Sequence, residues 1–183
     1  SVLPGMKRAY RFASQHRAIG LGVMGYHSLF QSKLIEFESL EAKGLNSIIF
    51  KTIKEKSEEA SKWLHTAKGV NCIREGFANS TLMAIAPTKS SSFIHGAVSM
   101  GIEPIKSNYF IKDLAKSKTI YKNPFLEAEL EKYEINTPKT WESILKKDGS
   151  VQHLDFPTKA VFKSFIEITP KELILQAAQR QEF

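Results

Sequence analysis

The residues of this chain best suited to chemistry lie together between Thr81 and Gly96, in the stretch TLMAIAPTKSSSFIHG. Thr88, Ser90, Ser91 and Ser92 supply hydroxyls and Lys89 an ammonium, and backbone N–H groups at a helix start lack helical acceptors. Donors converging in that way favour an anion, phosphate being the commonest. The competing reading is an ordinary serine N-cap, for which one hydroxyl suffices. Three serines exceed that need, and on these residues alone both readings stand.

Other chemistry is sparse. The five histidines, His16, His27, His65, His95 and His153, are isolated, without metal-ligand spacing, and the single cysteine, Cys72, has no partner thiol. Glu103 lacks a second carboxylate or histidine at useful spacing and reads as a turn or ion-pair residue. Nucleophile-elbow and Walker-loop patterns are absent. Gly20, Gly22 and Gly25 in AIGLGVMG match the dinucleotide-binding glycine spacing, but KRAYRFASQHR in front of them is no apolar strand, and Glu41 falls in a helical context. Tight packing at a helix start is the better account of these glycines.

The elements that must position the polar loop follow from apolar spacing and punctuation. Thr81 to Ala86 has the length of a buried strand, stopped by Pro87, and Phe93 and Ile94 read as the first turn of a buried helix that ends at Gly101. Between Leu45 and Lys68, Ile49, Phe50, Ile53, Ala60, Trp63, Leu64 and Ala67 recur at helical spacing, predicting a long amphipathic helix with Trp63 in the core and Gly69 as its stop. Asn123 before Pro124 and Thr137 before Pro138 predict two short capped helices, the second closed by Asp148 and Gly149. Lys159 to Ile168 reads as a further short helix. Thr169, Pro170 and Glu172 predict a capping box for a terminal helix.

Composition bounds the rest. With 183 residues, 42% hydrophobic and 25% charged, the chain can form one domain with a real core. A net charge of +7 admits nucleic acid, an anionic membrane surface or phosphorylated small molecules as partners. The lysines are scattered rather than interleaved with aromatics, which argues against nucleic acid. A lone cysteine suits a reducing cytoplasm and is expected to be a buried structural thiol. No apolar run approaches membrane-spanning length, and SVLPGMKRAYRF lacks the apolar core of a signal peptide. Both ends read as cut, because Ser1 is no initiating Met and the terminal helix runs into Phe183 without a stop signal; processing, a cut boundary or splicing are each compatible with Ser1.

Six ordered stretches carry a resemblance: RAIGLGVMG (17–25), HSLFQSK (27–33), NSTLMAIAPTKSSS (79–92), SMGIEP (99–104), KNPFLEAEL (122–130) and GSVQHL (149–154). Together, in this order and at these separations, they resemble the large catalytic subunit of class I ribonucleotide reductase, with the phage and bacterial aerobic branch the nearest likeness. The resemblance spans nearly the whole chain.

It implies an α/β fold, here a mainly helical segment with a few strands, forming part of a ten-stranded α/β barrel and incomplete at both ends over residues 1–183. It implies participation in the radical reduction of ribonucleoside diphosphates for deoxyribonucleotide biosynthesis. Pro87, Thr88, Lys89, Ser90 and Ser91 match the loop that holds the substrate's phosphates, with Lys89 where a small residue is common. GLGVMG becomes a structural stretch. The family's barrel cysteines, the Asn and Glu beside its radical cysteine, its relay tyrosines and its cysteine-bearing tail match nothing here, so no residue of this chain is assigned a catalytic or metal-binding role. The implied partners are the remaining segments of the large subunit, a small radical-generating subunit that carries the metal-radical cofactor, nucleotide effectors, and thioredoxin or glutaredoxin, without membrane or nucleic acid. The segment alone is expected to be inert in the cytoplasm. The alternative is a non-catalytic reductase remnant acting as a binding or scaffold segment.

Overall fold

The computed structural model describes residues 5–114 and 117–183, so Ser1 lies outside the described residues. Among the described residues the chain is mainly helical with one two-stranded sheet. Helix α1 (Lys7–His16) buries no residue, and α2 (Tyr26–Ser32) is its opposite, with Tyr26, His27, Ser28, Phe30 and Gln31 all buried. Helix α3 (Leu40–Lys68) starts earlier than its apolar spacing suggests. Ser39 caps it by accepting a hydrogen bond from the Ala42 N–H at 3.1 Å, and Gly69 in the left-handed region ends it as expected.

Twenty-nine residues make a rod about 43 Å long. One expectation for it is corrected. Only Ala42, Asn46, Phe50 and Ser61 of α3 are buried, whereas Trp63 is 55% exposed, with Lys68 over its ring, so the Trp63 face is not core. Buried Ser61, missed by hydropathy, docks this end instead. Its hydroxyl donates to Asn79 Oδ1 at 2.9 Å and accepts from the Asn79 N–H at 3.1 Å. Cys72 is also corrected, being half-buried rather than buried, with its Sγ 3.3 Å from the Phe77 carbonyl.

The stretch 81–86 is extended but is not a buried strand. It meets residues 19–21 in a single parallel bridge, Leu21 to Met83, with the Leu21 N–H donating to the Leu82 carbonyl and the Ala84 N–H to the Leu21 carbonyl. Ile85 is 69% exposed, while Leu82 is buried. Helix α4 (Lys89–Ile94) follows at once.

An unanticipated hairpin, β1 (Tyr109–Leu114) and β2 (Ser117–Lys122), pairs antiparallel in the register Tyr109 to Lys122 and Ile111 to Ile120. Helices α5 (Pro124–Lys132) and α6 (Pro138–Lys146) begin as their sequences demand. Asn123 Oδ1 accepts from the Phe125 N–H and Thr137 Oγ1 from the Thr140 N–H, each ahead of a first-turn proline. Asp148 and Gly149, both at positive φ, turn the chain after α6.

Lys159 to Ile168 is two short 3-10 turns, Lys159–Phe162 and Phe165–Glu167, rather than one helix. Lys163 and Ser164 are extended between them, and the Ser164 side chain forms a capping box with Glu167, a local bond that competes with continuing the helix. Helix α7 (Pro170–Gln181) carries the first-turn proline, but its expected capping box is absent. The Thr169 N–H and hydroxyl both donate to Glu38, which also takes the Lys163 ammonium, and Glu172 pairs with Lys43 at 2.6 Å. One distant acid and one distant lysine thus take the two partners of the local box.

Two cores result. One joins α2, α3 and α7 through Tyr26, Phe30, Phe37, Ala42, Phe50 and Ile168. Inside it the Tyr26 hydroxyl lies within 2.9 Å of Asn46 Oδ1 and Gln176 Oε1, and burial pushes its pKa upward. The other packs α5, α6 and the first 3-10 turn around Leu126, Leu130, Trp141, Ile144 and Phe162.

Candidate functional site

The loop from Pro87 to Ser91 emerges where the extended stretch ends. Pro87, Lys89, Ser90 and Ser91 are exposed, and Thr88 is half-buried. Helix α4 begins at Lys89, not at Phe93, so the serines lie within its turns rather than in front of them, and it ends at Ile94, 82% exposed, well before Gly101.

This geometry bears on the capping reading of the hydroxyls. The N-cap is Thr88, in the left-handed region at φ 44° and ψ 32°, and its side chain makes no cap hydrogen bond. A side chain attached at such a backbone points away from the first turn. The Thr88 Oγ1 accepts instead from the Gly101 N–H at 2.8 Å. Ser92, fully buried, donates back to the Lys89 carbonyl at 3.0 Å. Serine capping is therefore not what these residues do. The hydroxyls of Ser90 and Ser91 and the Lys89 ammonium stand on an exposed surface, beside first-turn N–H groups that have no helical acceptor. Such an arrangement can hold and orient an anion; it contains no group positioned to make or break a bond.

The glycines of the dinucleotide-like motif serve this region by their size. A Cβ on Gly22 would lie 2.6 Å from the Ala84 carbonyl oxygen, and one on Gly20 2.7 Å from the Ala84 side chain. Close packing is thus borne out, for Gly20 and Gly22 against the extended stretch and for Gly25 at the start of α2, where a Cβ would meet Val98 at 3.4 Å. Gly101, at φ +55°, faces the Ala86 carbonyl oxygen in the same way, with a Cβ at 2.6 Å. A cleft of about 260 Å³ next to α4, lined by Phe93, Val98, Met100, Ile105, Phe110 and Tyr121, includes none of residues 87–91. Glu103 borders it, and its N–H closes a turn onto the Met100 carbonyl.

The histidines are dispersed as the sequence indicated. His27 is fully buried on α2, and its Nδ1 accepts from the Ile105 N–H at 3.0 Å; burial pushes its pKa down to about 3. His153 lies against Ser143 and His65 against the Val70 carbonyl. Among the described residues no three His, Cys, Asp or Glu side chains gather as a metal site. No helix among them is long and apolar enough to cross a membrane.

Sequence reasoning passed over Ser28 and Ser99, which are buried and bonded to each other. Each lay inside a stretch that carried the resemblance, HSLFQSK and SMGIEP, but neither type nor spacing revealed the pairing.

Comparison with known proteins agrees with the motifs. The family model described as ribonucleotide reductase, barrel domain, matches residues 5–73 and 62–183. The ribonucleoside-diphosphate reductase large subunit of Invertebrate iridescent virus 3 is 38% identical over 188 residues, covering 98% of this chain and 30% of the relative. A putative large subunit from Frog virus 3 is 34% identical, covering 97% and 32%. Among solved structures, the Actinobacillus ureae class Id ribonucleotide reductase alpha subunit superposes with a TM-score of 0.89 at 50% identity, covering 98% of this chain and 34% of that one. The chain thus spans about a third of the length of these proteins, and its helices and hairpin are part of an α/β barrel. Six motifs, a matching family model and a superposable structure converge: this chain belongs to the ribonucleotide reductase barrel-domain family.

Proposed function

We propose that the chain works as a segment of a ribonucleoside-diphosphate reductase large subunit and that Pro87, Thr88, Lys89, Ser90 and Ser91 hold the diphosphate of the substrate. The observation that carries this reading is the exposed set of Ser90 and Ser91 hydroxyls, Lys89 and first-turn amides, left uncommitted to capping, in a chain of this family. Their role is positioning. Charge-assisted hydrogen bonds fix the phosphates so that the ribose is presented to reactive groups elsewhere in the protein, and no bond to phosphorus is broken. The reacting cysteines, the small radical-generating subunit with its metal-radical cofactor, nucleotide effectors and a thioredoxin or glutaredoxin reductant all lie beyond these residues, in a cytoplasmic assembly. Cys72, the one thiol present, is held by the Arg74 and Phe77 carbonyls and takes no part.

The test is Ser90→Ala together with Ser91→Ala in the complete large subunit, assayed with its small subunit. Each charge-assisted bond contributes about 1.5–3 kcal/mol, so KM for a ribonucleoside diphosphate is expected to rise at least about tenfold while the fold is kept. An unchanged KM would refute the assignment.

A further inference from the structure

Helix α2 opens on a residue that cannot cap it. Its N-cap is Gly25, with no side chain, so its first N–H groups need acceptors from elsewhere. Residues 99–101 supply them across more than seventy positions of sequence. The Gly25 N–H donates to the Ser99 carbonyl at 2.8 Å and the Tyr26 N–H to the Gly101 carbonyl at 3.3 Å. The Ser28 N–H donates to Ser99 Oγ at 3.1 Å, and the Ser99 N–H to Ser28 Oγ at 2.8 Å. This reciprocal exchange has the logic of a capping box split between two distant segments, and both serines are buried, at 4% and 2% exposure.

The clamped segment then reaches the loop. The Gly101 N–H donates to Thr88 Oγ1 at 2.8 Å, and Gly101 sits so close to the Ala86 carbonyl that a Cβ there would overlap it. Thr88 is a β-branched residue at φ 44°, a conformation that persists only where its surroundings hold it. That backbone in turn sets the direction of the first amides of α4. An unbroken series of bonds therefore runs from the start of α2, through Ser28, Ser99 and Gly101, to Thr88.

We infer that Ser28 and Ser99 are positioning residues for the 87–91 loop: their exchange fixes the Gly101 N–H, which holds Thr88 in its left-handed conformation and aims the loop's donors at the anion. This rests on the diphosphate reading of the loop. Neither serine touches the ligand, and Thr88 contributes its hydroxyl oxygen inward, to the scaffold, rather than outward.

The experiment uses the complete large subunit with its small subunit. Ser28→Ala, Ser99→Ala, the double variant and Ser99→Thr are compared with the Ser90→Ala/Ser91→Ala pair, with thermal midpoints measured throughout. Loss of one positioning hydrogen bond is expected to raise KM for the ribonucleoside diphosphate about fivefold in Ser99→Ala, with kcat at saturation within about twofold of the parent. Ser99→Thr, which keeps the hydroxyl, restores KM. The double variant does little more than either single one, because both hydroxyls serve one link. Should Ser99→Ala fail to fold, Ser28→Ala carries the same comparison. An unchanged KM in the serine variants beside a raised KM in the Ser90/Ser91 pair overturns the positioning role and leaves the loop reading standing. An unchanged KM in both sets overturns the loop reading and this inference with it. A fall in kcat that follows the thermal midpoint, with KM unmoved, assigns the serines to stability alone and also overturns it.

Discussion

Acidifying the protein from pH 7 to pH 5 should destabilise it through His27, and the magnitude follows from the burial of one ring. His27 is fully enclosed on α2, edge-on to Phe37, and its Nδ1 accepts from the Ile105 N–H, so the ring is neutral with its proton on Nε2. Burial lowers its pKa from 6.5 to about 3. In the unfolded chain the same ring takes up a proton near 6.5, so between these values the unfolded state binds more protons and stability rises with pH. The contribution is full above 6.5 and is lost progressively as the pH falls toward 3. At pH 5 the unfolded ring is protonated to about 1.5 units below its ordinary pKa, which at 1.36 kcal/mol per unit gives a loss of about 2 kcal/mol relative to pH 7. Urea unfolding of the chain at the two values measures it. Subtraction of a His27→Asn variant removes what the other titrating groups contribute. Asparagine sets an amide oxygen near the Nδ1 position to keep the Ile105 bond; the smaller side chain lowers stability at both pH values, but the drop between them should shrink by about 2 kcal/mol. An equal drop in parent and variant would refute the reasoning.

Two further outcomes follow from other contacts. Gly22→Ala drives a Cβ into the Ala84 carbonyl, with backbone on both sides, and is expected to lower stability by about 1–3 kcal/mol, read as a fall in the urea midpoint; a parental midpoint would show that the two extended stretches can part without loss. Burial alone would raise the pKa of Glu38, but the bonds from Lys163 and Thr169 outweigh it and hold it below 4.5. Its stabilisation is therefore full above that value and lost as the pH falls through the lowered folded one. Glu38→Gln should unfold more readily than the parent at neutral pH, with the two curves converging below pH 4.5, and a gap that persists in acid would contradict this.

The physical reach of these contacts separates what the sequence disclosed from what it withheld. Punctuation acting over three or four residues was legible: Gly69 ending α3, Asn123 and Thr137 capping α5 and α6, and Asp148 with Gly149 turning the chain after α6 each act on their own neighbours. The family, too, was legible in six motifs. Readings that needed a distant partner went astray. Apolar spacing marks which face of α3 is oily but not which of its turns meet another element, so Trp63 was taken for core although it is 55% exposed and Ser61 docks that end. The Thr169, Pro170 and Glu172 pattern is a sound local capping box, yet Glu38 and Lys43 lie close enough in space to claim two of its members. The serines after Pro87 could cap or could bind, and residue types alone left the choice open. Tertiary structure removes side-chain capping at the start of α4, because the N-cap is Thr88, left-handed and with its hydroxyl bonded to the Gly101 N–H from a segment thirteen residues away, while Ser90 and Ser91 stand exposed. The sequence by itself supplied the hydroxyls and the lysine of the loop; only the packing of 99–101 between α2 and the loop showed which of them are exposed and which is bonded inward.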